Sequence, residues 1–114
     1  MKKIAPILLL LLMASVYAKA QVPVLNSLPG AQHIIYLDFD GYTVSGTSWN
    51  TSFNSGLPIN CASSGYSSAQ INTVFNLMAE DYRPFNINVT TDSTVFIAAP
   101  IRQKMRVLFT PTSS

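Results

Sequence analysis

The chain has 114 residues, with seven Lys and Arg against five Asp and Glu, and a single His and a single Cys. This length fits one small domain. The basic residues form no long run, which excludes the dense basic surface of nucleic-acid-binding proteins and of proteins that bind anionic membranes.

The first twenty residues have the pattern of a cleavable secretory signal peptide. Lys2 and Lys3 precede an apolar run over residues 4–16, and Ala18-Lys19-Ala20 forms an A-x-A cleavage site. The run is shorter than the roughly 20 apolar residues that cross a bilayer. We therefore expect residues 1–20 to be removed, the protein to be secreted or periplasmic, and no membrane contact to remain. The rest holds four basic and five acidic residues, a net charge of about −1.

The next segments lead into the domain and through its first strand. Residues 21–32 hold two prolines and a glycine and are predicted to be a leader. Residues 33–39 form an unbroken apolar run rich in β-formers, which predicts a strand covered on both faces. Residues 40–66 are dense in small polar residues and show no period, so we predict a long functional or inserted loop. Trp49 and Phe53 are predicted to anchor this loop by hydrophobic packing.

The clearest helix signal begins at Ser67. Ser67 and Gln70 have the spacing of a capping box, in which each side chain bonds the other residue's backbone N–H. Pro84 predicts the end of the helix, because the residue before a proline is pushed out of the helical region. Between these limits an apolar stripe recurs at helical spacing: Ile71, Val74, Phe75, Met78, Ala79 and Tyr82.

Two further strands complete the predicted fold. Apolar and polar residues alternate over residues 85–90, and residues 105–109 form another β-rich run. Residues 92–100 show no clear period and are predicted to be turn and irregular structure. The order strand, loop, helix, strand, strand predicts an α/β or α+β class and fits a right-handed βαβ unit continued by one strand.

Asp38 and Asp40 are the candidate chemical residues. They lie at i and i+2 at the carboxyl end of the first predicted strand, where open α/β sheets bind ligands, and such a pair could hold a divalent cation. The string D-x-D-G is similar to the first motif of haloacid dehalogenase-like phosphatases, although Tyr42 stands where that motif has Thr or Val. Asp and Gly are also favoured turn residues, so a simple turn explains the same string.

The single cysteine and the single histidine are given no role. A thiol protease would need a positioned base beside Cys61, and His33 is the one histidine of the chain. Cys61 is therefore either an inert side chain or the partner of a cysteine outside this sequence. A lone histidine before a strand is more often a surface or structural residue than a ligand.

Four segments taken in order resemble a specific protein family. They are residues 35–41, 47–50, 79–92 and 105–113. Together they look like the N-terminal portion of secreted bacterial zinc metallopeptidases of metzincin type. The resemblance implies an incomplete metzincin-like sheet over residues 33–114.

In that family the catalytic zinc is held by H-E-x-x-H-x-x-G-x-x-H, whose glutamate activates water. No H-E-x-x-H occurs in these 114 residues. We therefore expect no catalytic, cofactor-binding or zinc-binding residue in this chain, which would be truncated before the zinc motif. Zinc, and a peptide or protein substrate, are expected for the full-length form. A stand-alone exported binding or inhibitory module is the alternative.

Overall fold

The computed structural model describes residues 21–113, so the predicted signal peptide lies outside the described residues. Within that range no helix is long and apolar enough to cross a membrane. The elements in chain order are β1 (His33–Asp38), β2 (Tyr42–Val44), α1 (Ser48–Phe53), β3 (Ile59–Cys61), α2 (Ser68–Asp81), β4 (Ile87–Thr90), α3 (Ser93–Ala98), a 3-10 helix (Ile101–Gln103) and β5 (Lys104–Leu108).

The main sheet has three parallel strands in the order β4-β1-β5. The central strand β1 is buried from its second residue to its last, as its unbroken apolar sequence predicted. The structure is thus of mixed α/β type, and the three strands and the helix predicted from the sequence are all present. The predicted second strand begins two residues late, at Ile87, because the Phe85 N–H bonds to the Tyr82 carbonyl in a turn at 3.0 Å.

Helix α2 covers one face of this sheet. Its predicted capping box is confirmed: the Ser67 hydroxyl accepts the Gln70 N–H at 3.2 Å, and the Gln70 side chain accepts the Ser67 N–H at 2.9 Å. Fully burying each large apolar side chain contributes about 1.5–3 kcal/mol. The apolar core between helix and sheet consists of Ile35, Leu37, Phe39, Ile71, Phe75 and Val89.

Residues 40–66, predicted as one long functional or inserted loop, contain two strands and a helix. Strands β2 and β3 pair antiparallel, with α1 between them, and we call residues 42–61 the lobe. Asn50 is 1% exposed, and its hydrogen bonds hold the lobe together where a larger unit would use apolar side chains. Its amide donates to the carbonyls of Val44 and Leu57, and its Oδ1 accepts the Thr47 N–H. Because one polar side chain closes the lobe, no hydrophobic period marks it in the sequence.

The prediction of irregular structure over residues 92–100 is also wrong, because α3 occupies most of it. The Asp92 carboxylate caps this helix by accepting the Thr94 N–H at 3.0 Å. The helix has six residues, fewer than two turns, and so it shows too little periodicity to be recognised.

The segment predicted as a leader lies along the outer edge of β4. The Ser27 N–H donates to the Val89 carbonyl, and the Thr91 N–H donates to the Leu25 carbonyl. Asn26 forms an antiparallel bridge there. The outer edge of β4 is thereby covered, whereas β5 pairs with β1 alone among the described strands.

Candidate functional site

Asp38 and Asp40 lie in different environments at the carboxyl end of β1. Asp38 is buried, with 3% of its surface exposed, and Asp40 is exposed. One oxygen of Asp38, Oδ1, accepts the Asp40 N–H at 3.0 Å, and Oδ2 lies 3.6 Å from Nε of Arg106. Within residues 21–113 no three metal-ligating side chains of the His, Cys, Asp and Glu types cluster. The cation site at Asp38 and Asp40 stays a prediction.

The D-x-D-G string forms a tight turn at the end of β1. Gly41 has a φ of +88°, and a Cβ on it would lie 2.8 Å from the Cys61 carbonyl oxygen. The Asp38 side chain bonds the backbone two residues later, which is the usual Asx turn. These contacts favour the turn interpretation of the string. A phosphatase nucleophile must reach a phosphorus atom, and the burial of Asp38 does not favour that role.

Burial controls the ionisation of two neighbouring groups on β1. It raises the pKa of Asp38, while the Asp40 N–H and then the Arg106 charge act in the opposite direction. Burial also raises the pKa of Tyr36, and the negative charge of Asp38 adds to that effect. Burial thus favours the neutral forms of both side chains.

Arg106 on β5 is the charged partner of Asp38, and it was not among the candidate residues predicted from the sequence. Its guanidinium carbon lies 3.6 Å from the centre of the Tyr42 ring, 4.9 Å from that of Phe96 and 5.6 Å from that of Tyr36. Three aromatic rings thus surround one cation. They come from β2, α3 and β1, so only the folded chain brings them together. In the sequence, Arg106 is recognisable only as a basic residue inside a predicted strand. That position does not indicate which residues it contacts.

A cleft of about 510 Å³ lies between the lobe and β5, and Arg106 lines it. Trp49 is 64% exposed and Phe53 is 56% exposed, and their rings stack on each other at 5.0 Å. Because both side chains are more than half exposed, the prediction that they anchor the loop by hydrophobic packing is wrong. Apolar and small side chains form the rest of the wall, among them Val44, Ile59, Cys61 and Leu108.

The histidine and the cysteine are placed apart. His33 is exposed at the start of β1, and Cys61 is half-buried at the end of β3 with a free thiol. These positions lie at opposite ends of the main sheet, because Cys61 pairs with Tyr42, beyond the carboxyl end of β1. The two residues cannot act as a thiol and its base.

Comparison of the chain with protein-family models, with curated proteins and with solved structures found no match. Any proposal about function therefore rests on the sequence and structure of this chain.

Proposed function

We propose that this chain is the N-terminal portion of a secreted zinc metalloendopeptidase of metzincin type, without peptidase activity of its own. One observation supports the proposal. Three of the four segments that carry the family resemblance include residues of β1, the end of α2, β4 and β5, which together form the parallel sheet and its helix. The fourth, residues 47–50, lies at the start of α1. Most of the resemblance thus falls in segments that build one structural unit.

The residues present do not fit a catalytic zinc ion. The chain has one histidine, His33, which is exposed, whereas the family's motif supplies three histidines from one helix and its extension. In this proposal the zinc, the water-activating glutamate and the peptide substrate belong to sequence that follows residue 114. The described residues would supply the sheet that supports that helix, and the predicted signal peptide would deliver the protein outside the cytoplasm.

The test is to sequence the source gene through and beyond codon 114. We expect an open frame, direct or after one frameshift, that continues into H-E-x-x-H-x-x-G-x-x-H. The purified chain without its predicted signal peptide, residues 21–114, should release no peptides when it is assayed on casein with added Zn²⁺. A stop codon at 115 with no such motif in any downstream frame would overturn the proposal.

A stand-alone exported binding or inhibitory module is the second candidate. The exposed Trp49–Phe53 stack on the lobe favours it, because large exposed aromatic residues are enriched where proteins bind partners. Cooperative thermal unfolding of a monomer, unaffected by a chelator, would support this module. Aggregation or a molten state of the purified chain would instead support the fragment.

A further inference from the structure

Two guanidinium nitrogens of Arg106 are buried without a hydrogen-bond partner among residues 21–113. Its Nε and Nη1 atoms are covered by protein, and neither donates to an acceptor there. The nearest carboxylate oxygen, Asp38 Oδ2, is 3.6 Å from Nε, which is beyond a good hydrogen bond. The rings of Tyr36, Tyr42 and Phe96 attract the cation through their faces, but they do not replace an oxygen acceptor.

Such a group is uncommon, because buried donors are nearly always paired and a buried charge is costly without hydrogen bonds. The cleft beside Arg106 is where an acceptor can enter. Arg106 is the one charged side chain among the described residues that line this cleft, and 22% of its side chain is exposed. Tyr42, whose ring lies over the guanidinium, is itself 45% exposed and outside the apolar core, and binding at the covered nitrogens requires this ring to turn aside.

We propose that the cleft between the lobe and β5 binds a monocarboxylate with an apolar body. The carboxylate pairs with the Arg106 guanidinium, whose planar fork matches two carboxylate oxygens. The apolar body lies against Val44, Ile59 and Leu108, and Trp49 closes the rim. The cleft volume of about 510 Å³ is within the range of small-ligand sites.

A single carboxylate fits this site better than a phosphate. Asp38 already places a carboxyl group 3.6 Å from the guanidinium, so a second or third negative charge on the ligand would be repelled. The apolar wall would also leave the extra oxygens of a phosphate without donors. The chemistry is shared by free aliphatic or aromatic acids and by the C-terminus of a polypeptide. The proposal does not depend on whether the gene continues into a zinc motif.

Trp49 is the single tryptophan of the chain and lines the cleft, so its fluorescence reports on binding. The purified chain is titrated with 3-phenylpropionate and, separately, with N-acetyl-Ala-Ala-Phe, each against its neutral C-terminal amide. We expect saturable quenching by at least one acid, and binding about tenfold or more weaker for its amide, because the charged hydrogen bonds are lost. The arm that saturates identifies a free acid or a peptide terminus as the source.

Matched variants assign the effect to Arg106. Arg106→Gln should abolish saturable binding, while Arg102→Gln removes the same charge from an exposed position outside the cleft and should leave binding unchanged. If Arg106→Gln fails to fold, Ile59→Glu keeps the arginine, places a carboxylate in the cleft wall and should block binding. Phosphate should not compete.

Three results would overturn the proposal: no saturable quenching by either acid, equal affinity for acids and amides, or unchanged binding in Arg106→Gln or in folded Ile59→Glu.

Discussion

Folding buries the carboxyl group of Asp38 away from water, and the contacts that it gains replace only part of the lost hydration. The Asp40 N–H and the Arg106 guanidinium favour its charged form, but burial outweighs both and raises its pKa. A buried ion pair of this kind contributes less to stability than its proximity suggests, since both charges lose their hydration. The pair therefore fixes geometry at the end of β1 more than it adds free energy.

The raised pKa of Asp38 predicts how stability depends on pH. A folded-state pKa above the unfolded value means that the folded state binds more protons between the two values, so stability falls as pH rises there. The contribution is fully present below the ordinary value of 3.8 and is lost by the raised folded value. Urea midpoints across this range should fall for the native chain and stay flatter for Asp38→Asn. A native midpoint that rises relative to the variant would contradict this.

Gly41 is predicted to tolerate no side chain. Its φ of +88° disfavours any other residue, and a Cβ would meet the Cys61 carbonyl oxygen at 2.8 Å and the Ser63 nitrogen at 3.0 Å. We expect Gly41→Ala to lower the free energy of unfolding by about 2–4 kcal/mol. Gly46→Ala is the matched control, since Gly46 also has a positive φ but an open Cβ position, and should cost about 1 kcal/mol. Equal losses in urea denaturation would refute the steric argument.

At the scale of elements, the start of α2 should depend on one hydroxyl. Ser67→Ala removes the acceptor of the Gln70 N–H and should destabilise the protein by about 1 kcal/mol. Ser68→Ala, one residue into the helix, removes only a long 3.5 Å contact to the Gln21 carbonyl and should change stability much less. Thermal unfolding followed by circular dichroism measures both, and a larger loss in Ser68→Ala would disprove the assigned cap.

The elements that could be predicted are those with a clear local signal. An unbroken apolar run predicts strand β1, and an apolar stripe with a period of 3.6 residues predicts helix α2. The lobe and α3 could not be predicted in this way, because each is short and is closed by a polar residue, Asn50 or Asp92.

The candidate site was predictable only on the strand that carries Asp38. Arg106 enters it through the pairing of β5 with β1, where Tyr36 lies opposite Arg106 in the register. Tyr42 and Phe96 belong to β2 and α3, which were not predicted from the sequence. A contact between residues so far apart in sequence depends on register and topology, which local patterns do not contain.

The whole molecule consists of a sheet with its helix and an attached lobe, and Asn50 should control the lobe alone. Asn50→Ala removes the donor to the Val44 carbonyl and the acceptor of the Thr47 N–H, and it leaves the Leu57 carbonyl with the Asn54 amide alone, a local cost of about 3 kcal/mol. Hydrogen exchange should become faster at the amides of β2 and β3 and stay slow in β1 and β4. Uniform acceleration throughout the chain would show that the lobe and the sheet unfold as one unit.

The two outer edges of the main sheet differ, and this decides where a further strand can add. Residues 25–27 pair with the outer edge of β4, while β5 has a strand neighbour on one side only among residues 21–113. An edge strand with unpaired backbone groups is a template for another extended chain. Growth of this sheet, by a later segment of the same polypeptide or by a second molecule, is therefore expected at β5 and not at β4.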